Sequence, residues 1–329
     1  MQKINAKRWL SGILAAILLL AVFPLGTFAE EGDLTITTKE ELLQFAQSVS
    51  GGESYTGKTV VLAANLSLAG EDFAGIGSSA APFKGTFDGQ NHIVSDLSSS
   101  VGFFADVNGG TVKNLIVRGM VNGASNIAGV VGKLTAGAVQ NCGNEASVSG
   151  GANVGGVVGS VNGDCTVSGC YNSGAVSGTT GYIGGVTGQH WRAGTVENCY
   201  NIGTVSGPAT VGGITGGHKA SSPVLRNCYS AGTVVDTAGN QNNIGAVIGA
   251  TRGTNENCYF LSGCGTNDKT GITEVSSLSA AQLGDAFKAD EDGINGGLPV
   301  FAWQIKQPDL IITTYEALKS FAEAVSGGE

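Results

Sequence analysis

An all-β fold is predicted for this chain, a right-handed parallel β-helix with three short strands per rung. Three ladders of residues, running in step through the sequence, carry that expectation. The first reads Ile127-Ala-Gly-Val130, Val154-Gly-Gly-Val157, Ile183-Gly-Gly-Val186, Val211-Gly-Gly-Ile214 and Ile244-Gly-Ala-Val247. The second places Cys142, Cys170, Cys199, Cys228 and Cys258 at separations of 28, 29, 29 and 30 residues, each after Asn or Gly and most before Tyr. The third keeps Val121, Val148, Val176, Val205 and Val234 in register. Short β-branched runs punctuated by Gly, Asn and Ser read as strands, and no helical period fits inside the unit. Such a unit cannot bury its apolar side alone, whereas stacked copies share a continuous core. A propeller blade needs about 40 residues and four strands, more than this repeat supplies.

Taken in order, residues 1–29 read as a secretory leader: Lys3, Lys7 and Arg8 precede the apolar run Leu10–Val22, and Thr27-Phe28-Ala29 offers small residues for cleavage. Residues 30–57 read as an N-terminal helical cap, with a capping box expected at Thr37 and Glu40 and Leu42, Phe45 and Val49 on one face. The β-helix is expected over 58–265 and a short α/β closing segment over 266–308, with a helix opening at Ser279 and Gln282. Residues 309–329 repeat 33–53 with 14 of 21 positions identical, including a second box at Thr313 and Glu316. That return reads as the start of a second module copy, in a fragment of a longer protein.

Without the leader the chain carries 14 Lys+Arg against 26 Asp+Glu, net −12. Such a charge would be repelled by phosphates, so nucleic acid is not an expected partner. A secreted, extracellular or cell-wall-associated protein is expected, with no membrane insertion once the leader is cleaved. Abundant Gly (54) with little Pro (6) in an apolar chain does not suit a disordered linker.

In the rung before Cys142, Leu115 stands at the cysteine position, so the ladder predicts buried apolar sites. Disulfides between neighbours and metal ligation are the competing readings; parallel side-chain vectors suit the first poorly, and the second lacks a CxxC pair or spaced His. Cys165 and Cys264 lie off the ladder. The Asn ladder (Asn114, Asn141, Asn198, Asn227, Asn257) predicts turn closure by side-chain hydrogen bonding. The Tyr ladder (Tyr171, Tyr200, Tyr229, Tyr259) predicts structural stacking, with a sugar-stacking strip as the alternative. Glu197, Arg226 and Glu256 predict an exposed ion-pair ladder worth little per pair.

The segments IGGVTG and ENCYNIGTVSG resemble the GLUG-motif repeats of secreted bacterial proteins, and FKGTFDGQNHIVSDL (83–97) and INGGLPVFAWQ (294–304) resemble the segments that flank them. The resemblance covers nearly all the chain after the leader. It implies a β-helical module of a large cell-surface protein of a Gram-positive bacterium, of the kind that includes some IgA-cleaving zinc metalloproteases. It does not imply a particular molecular activity.

Catalytic chemistry finds little footing. There is no HExxH and no GxSxG. Between 121 and 265 the only carboxylates are Glu145, Asp164, Glu197, Asp236 and Glu256, with no pair placed for glycosidic acid–base work. Asp88-Gly89 reads as a turn. No cofactor, metal or catalytic residue is expected. The sequence points to a non-catalytic structural stalk or adhesin; the alternatives are a polysaccharide-active β-helix enzyme, or an accessory region of a larger secreted peptidase. One binding patch is expected, where three successive loops should stack along one edge. It would gather His190, Trp191, Arg192, His218, Lys219 and Arg252 for a surface glycan or protein of host or bacterium.

Overall fold

The computed structural model describes residues 33–239, 243–266 and 269–305; the expected leader, and the expected second copy with its box at Thr313 and Glu316, lie outside them. The described chain forms two units, 33–277 and 278–305, and the first is a parallel β-solenoid.

One coil shows how the sequence builds it. Strands Cys165–Ser168, Tyr171–Asn172, Val176–Gly178, Tyr182–Gly184 and Thr187–His190 follow one another, and Gly194–Glu197 then returns to pair in parallel with the first. The three expected runs are present, but two of them bend, so each such coil carries five short strands rather than three. The first run breaks where Gly169 or an Asn takes a left-handed conformation: φ is 63° at Gly169 and 54°, 51°, 50°, 50° and 50° at Asn114, Asn141, Asn198, Asn227 and Asn257. Gly and Asn tolerate that region best. The turn sends the next side chain inward, so Leu115, Cys142, Cys170, Cys199, Cys228 and Cys258 form one fully buried column. The expected Asn hydrogen bonds run between coils, Asn141 Nδ2 to Asn114 Oδ1 at 3.2 Å and Asn257 Nδ2 to Asn227 Oδ1 at 2.9 Å. Asp88 ends this chain by accepting from Asn114 Nδ2 at 2.9 Å and from the Gln90 N–H at 3.0 Å.

The second run breaks at the Gly-Gly pair. A Cβ on Gly185 would run into the Gly213 carbonyl oxygen and the Asn201 amide of neighbouring coils. That amide belongs to an interior ladder that the cysteine and tyrosine spacing conceals. Asn144, Asn172 and Asn201 are fully buried; Asn144 Nδ2 donates to Asn172 Oδ1 at 2.6 Å, and Asn172 Nδ2 to Asn201 Oδ1 at 2.7 Å. Beside it Tyr171, Tyr200 and Tyr229 stack with centroids 5.4 and 5.0 Å apart. All three are buried, which excludes them as a sugar platform.

The core column Val60, Phe87, Val112, Val139, Val167, Val196 and Leu225 lies in unbroken parallel register. The register begins earlier than expected, at Leu34–Ile36 on Val60–Leu62, and ends later, with Cys258–Leu261 on Ile272–Val275. Helix α1 (Lys39–Ser50) buries Leu42, Phe45, Ala46 and Val49, with Phe45 stacked on Phe87 at 6.0 Å. Its capping box is one residue later than expected: Glu41 N–H donates to Thr38 Oγ1 at 3.2 Å, and Thr38 N–H to Glu41 Oε2 at 3.1 Å. Glu41 also accepts from Thr37 N–H at 2.7 Å. No helix among the described residues is long and apolar enough to cross a membrane.

The second unit holds α2 (Ala280–Leu283), where Gln282 Oε1 accepts from the Ser279 N–H at 2.9 Å. It also holds an antiparallel pair, Phe287–Lys288 with Val300–Phe301, whose phenylalanine rings lie 5.0 Å apart.

Candidate functional site

The three loops expected to stack do so. Trp191 N–H donates to the Val161 carbonyl at 2.8 Å and Lys219 N–H to the His190 carbonyl at 2.9 Å, so Asn162, Trp191 and Lys219 occupy one position on successive coils. Arg252 continues the column, two residues after the pair Gly217–Ala250. Trp191, Arg192, Lys219 and Arg252 are exposed. Lys219 Nζ stands 4.5 Å from the Trp191 ring centroid and 5.4 Å from that of Tyr182, a cation held between two π faces.

The two histidines do not join this patch. His190 and His218 are 0% and 2% exposed, and their rings meet edge to face at 5.6 Å inside the solenoid. Both nitrogens of His190 and Nε2 of His218 have no hydrogen-bond partner. Burial alone depresses His190 to about 4; burial, then the neighbouring His190, depresses His218 to about 3. Both are therefore neutral at pH 7, and the cations of the patch are Arg192, Lys219 and Arg252.

On the coil-ward side of Trp191 lies an open groove of about 420 Å³, lined by Asn126, Asn153, Ser160, Asn162, Trp191 and Arg192. Asn126 and Asn153 sit at left-handed turns, each with φ 54°, and Asn153 Nδ2 donates to Asn126 Oδ1 at 2.8 Å. Ser160 Oγ donates to Asn162 Oδ1 at 2.7 Å, which turns the Asn162 amide nitrogen away from that bond. On the next coil Tyr182 takes the place of Asn153 and its ring lies against Gly217, where a Cβ would come within 2.9 Å. The Tyr182–Lys219–Trp191 stack thus meets the groove at Trp191, which belongs to both. Sequence reasoning missed Asn126, Asn153, Ser160, Asn162 and Tyr182. The signal was present: Asn126-Ile127 and Asn153-Val154 open the first ladder at the same position.

The groove offers amides, a hydroxyl, a guanidinium and an indole, and no carboxylate lines it. Two of the carboxylates elsewhere on the repeat are engaged. Glu145 pairs with Arg118 at 2.6 Å and accepts from the Tyr171 hydroxyl at 2.6 Å; Glu197 pairs with Arg226 at 2.6 Å. Register places Arg226 between Glu197 and Glu256. All seven cysteines are buried and unbonded, and burial pushes the Cys142, Cys199 and Cys228 thiols well above the usual range. Among the described residues no three His, Cys, Asp or Glu side chains converge as a metal site.

No family model matches the chain, and no curated protein matches it. Among solved structures it is similar to the crystal structure of a candidate immunoglobulin A1 protease from Bacteroides ovatus. The two are 20% identical, with a TM-score of 0.64, over 85% of this chain and 95% of that one. At that identity the likeness is one of fold.

Proposed function

We propose that this chain is a non-catalytic, extracellular repeat module, structural or adhesive, that holds a glycan in the groove beside Trp191. The observation that carries the reading is the groove itself: an exposed indole next to planar polar groups on a rigid scaffold, with no carboxylate among its lining side chains. Sugars present an apolar ring face and a rim of hydroxyls. An aromatic face with a few fixed amides and a guanidinium complements both. The leader-like N-terminus and the GLUG-type repeats support placement outside the cell, on the surface of a Gram-positive bacterium. The fold shared with the Bacteroides ovatus protein supports an accessory region of a larger secreted protein, whose own activity would reside elsewhere.

Glycan-array binding by the wild type and by a Trp191→Ala/Arg192→Ala variant tests this. Both side chains are exposed, so the variant should keep the wild-type circular dichroism and melting temperature while losing binding. A well-folded variant that binds as tightly as the wild type would refute the site.

A further inference from the structure

We infer that the groove takes a carboxylate-bearing sugar, a uronic or sialic acid residue, with Arg192 holding the carboxylate and the Trp191 indole beneath the ring. This rests on the glycan reading and narrows it to one substrate class.

The argument begins with where the cations lie. The chain is acidic, with 26 Asp+Glu against 17 Lys+Arg. Arg118 and Arg226, on the Cys-Tyr side of the repeat, each meet a glutamate at 2.6 Å. At the groove corner the pattern changes. Arg192, Lys219 and Arg252 follow on three successive coils, and none of them makes an ion pair among the described residues. Asp164 is exposed and, from the pairing of Cys165 with Gly194, shares the position of Ala193 on the next coil. It still makes no ion pair with Arg192. Three neighbouring cations without acidic partners repel one another, in a protein that has acidic residues to spare. An anionic ligand relieves that repulsion.

Lys219 is committed to the rings of Trp191 and Tyr182 from the following coil. The other residues of the groove come from the preceding coils, so the indole can carry the lysine on one side and a sugar on the other. Arg192, adjacent in sequence and lining the same groove, is then the cation available to the ligand. Its planar fork matches the two oxygens of a carboxylate, and such charge-assisted pairs are about twice as strong as neutral hydrogen bonds. Asn126 and Asn162, with amide nitrogens as further donors, suit the ring hydroxyls. No acidic lining side chain opposes the charge.

The test is isothermal titration of the full chain with matched ligands. Trigalacturonate is compared with its methyl ester, sialyllactose with lactose, and a sulfated disaccharide is included. The acid of at least one pair should bind about tenfold or more tightly than its neutral partner, and the preference should shrink as salt rises. Arg192→Gln should abolish the preference, while Trp191→Ala should weaken acid and neutral forms alike. Equal affinity for acid and ester, a preference for sulfate, or an unchanged preference in Arg192→Gln would overturn the inference. Neutral sugars bound in a Trp191-dependent way would leave the glycan reading standing without it. If no sugar binds, both fall together.

Discussion

Acidification should destabilise this fold through two imidazoles. His190 and His218 are buried, neutral and edge to face, with depressed pKa values of about 4 and about 3. Unfolded, each returns to about 6.5. The folded values lie below the unfolded ones, so the stability at stake is complete above pH 6.5 and is lost as pH falls toward 4 and 3. At pH 4.5 the unfolded chain binds nearly two protons that the folded chain largely excludes. Linkage then sets the loss at about 2.5 kcal/mol per histidine, on the order of 5 kcal/mol together, relative to pH 7.5. The perturbation is the double variant His190→Val/His218→Val, because Val161 occupies the same position one coil earlier and is fully buried. Guanidinium unfolding followed by far-UV circular dichroism at pH 7.5 and 4.5 compares the two proteins. Carboxylates such as Asp88 titrate in both and cancel. The wild type should lose several kcal/mol more than the variant between the two pH values. Equal losses would refute the burial of the pair in its neutral form.

Asn172→Leu should cost about 3 kcal/mol, because it removes bonds to Asn144, Asn201 and the Gly174 carbonyl and strands buried partners; denaturant midpoints check this, and a loss below about 0.5 kcal/mol would contradict the interior ladder. Iodoacetamide followed by mass spectrometry should label none of the five ladder cysteines natively and all of them after denaturation. Any disulfide linking ladder members would contradict the free, buried column.

Much of the fold was legible because stacking forces like residues onto like. A parallel register makes a repeat in sequence a column in space, so Leu115 in line with Cys142 marks an apolar interior in the sequence itself. The bends were harder to read. Asn at a turn can be expected for its side-chain bonds, but its left-handed φ splits one predicted strand into two. Gly-Gly looked like strand punctuation, yet Gly185 is small because the Asn201 amide of a neighbouring coil occupies the space beside it. That constraint acts across coils, 16 residues away in sequence, and no local pattern exposes it.

The binding patch was half legible for a related reason. Loops of unlike sequence at one point of the repeat correctly indicated an edge where side chains reach solvent. Which residues of each loop face outward depends on where the strand ends, and there the reading of His190 and His218 failed. Register puts Leu134, Val161, His190 and His218 in one column. Leu134 and Val161 are fully apolar, and that column is interior. The comparison that identified the cysteines as core residues would have identified the histidines too. Applied one residue further, it sets Asn162, Trp191 and Lys219 together on the outside. The two columns are adjacent in sequence and opposite in environment. The boundary between core and candidate site therefore falls between His190 and Trp191, and a single peptide bond joins the buried neutral pair to the exposed indole of the groove.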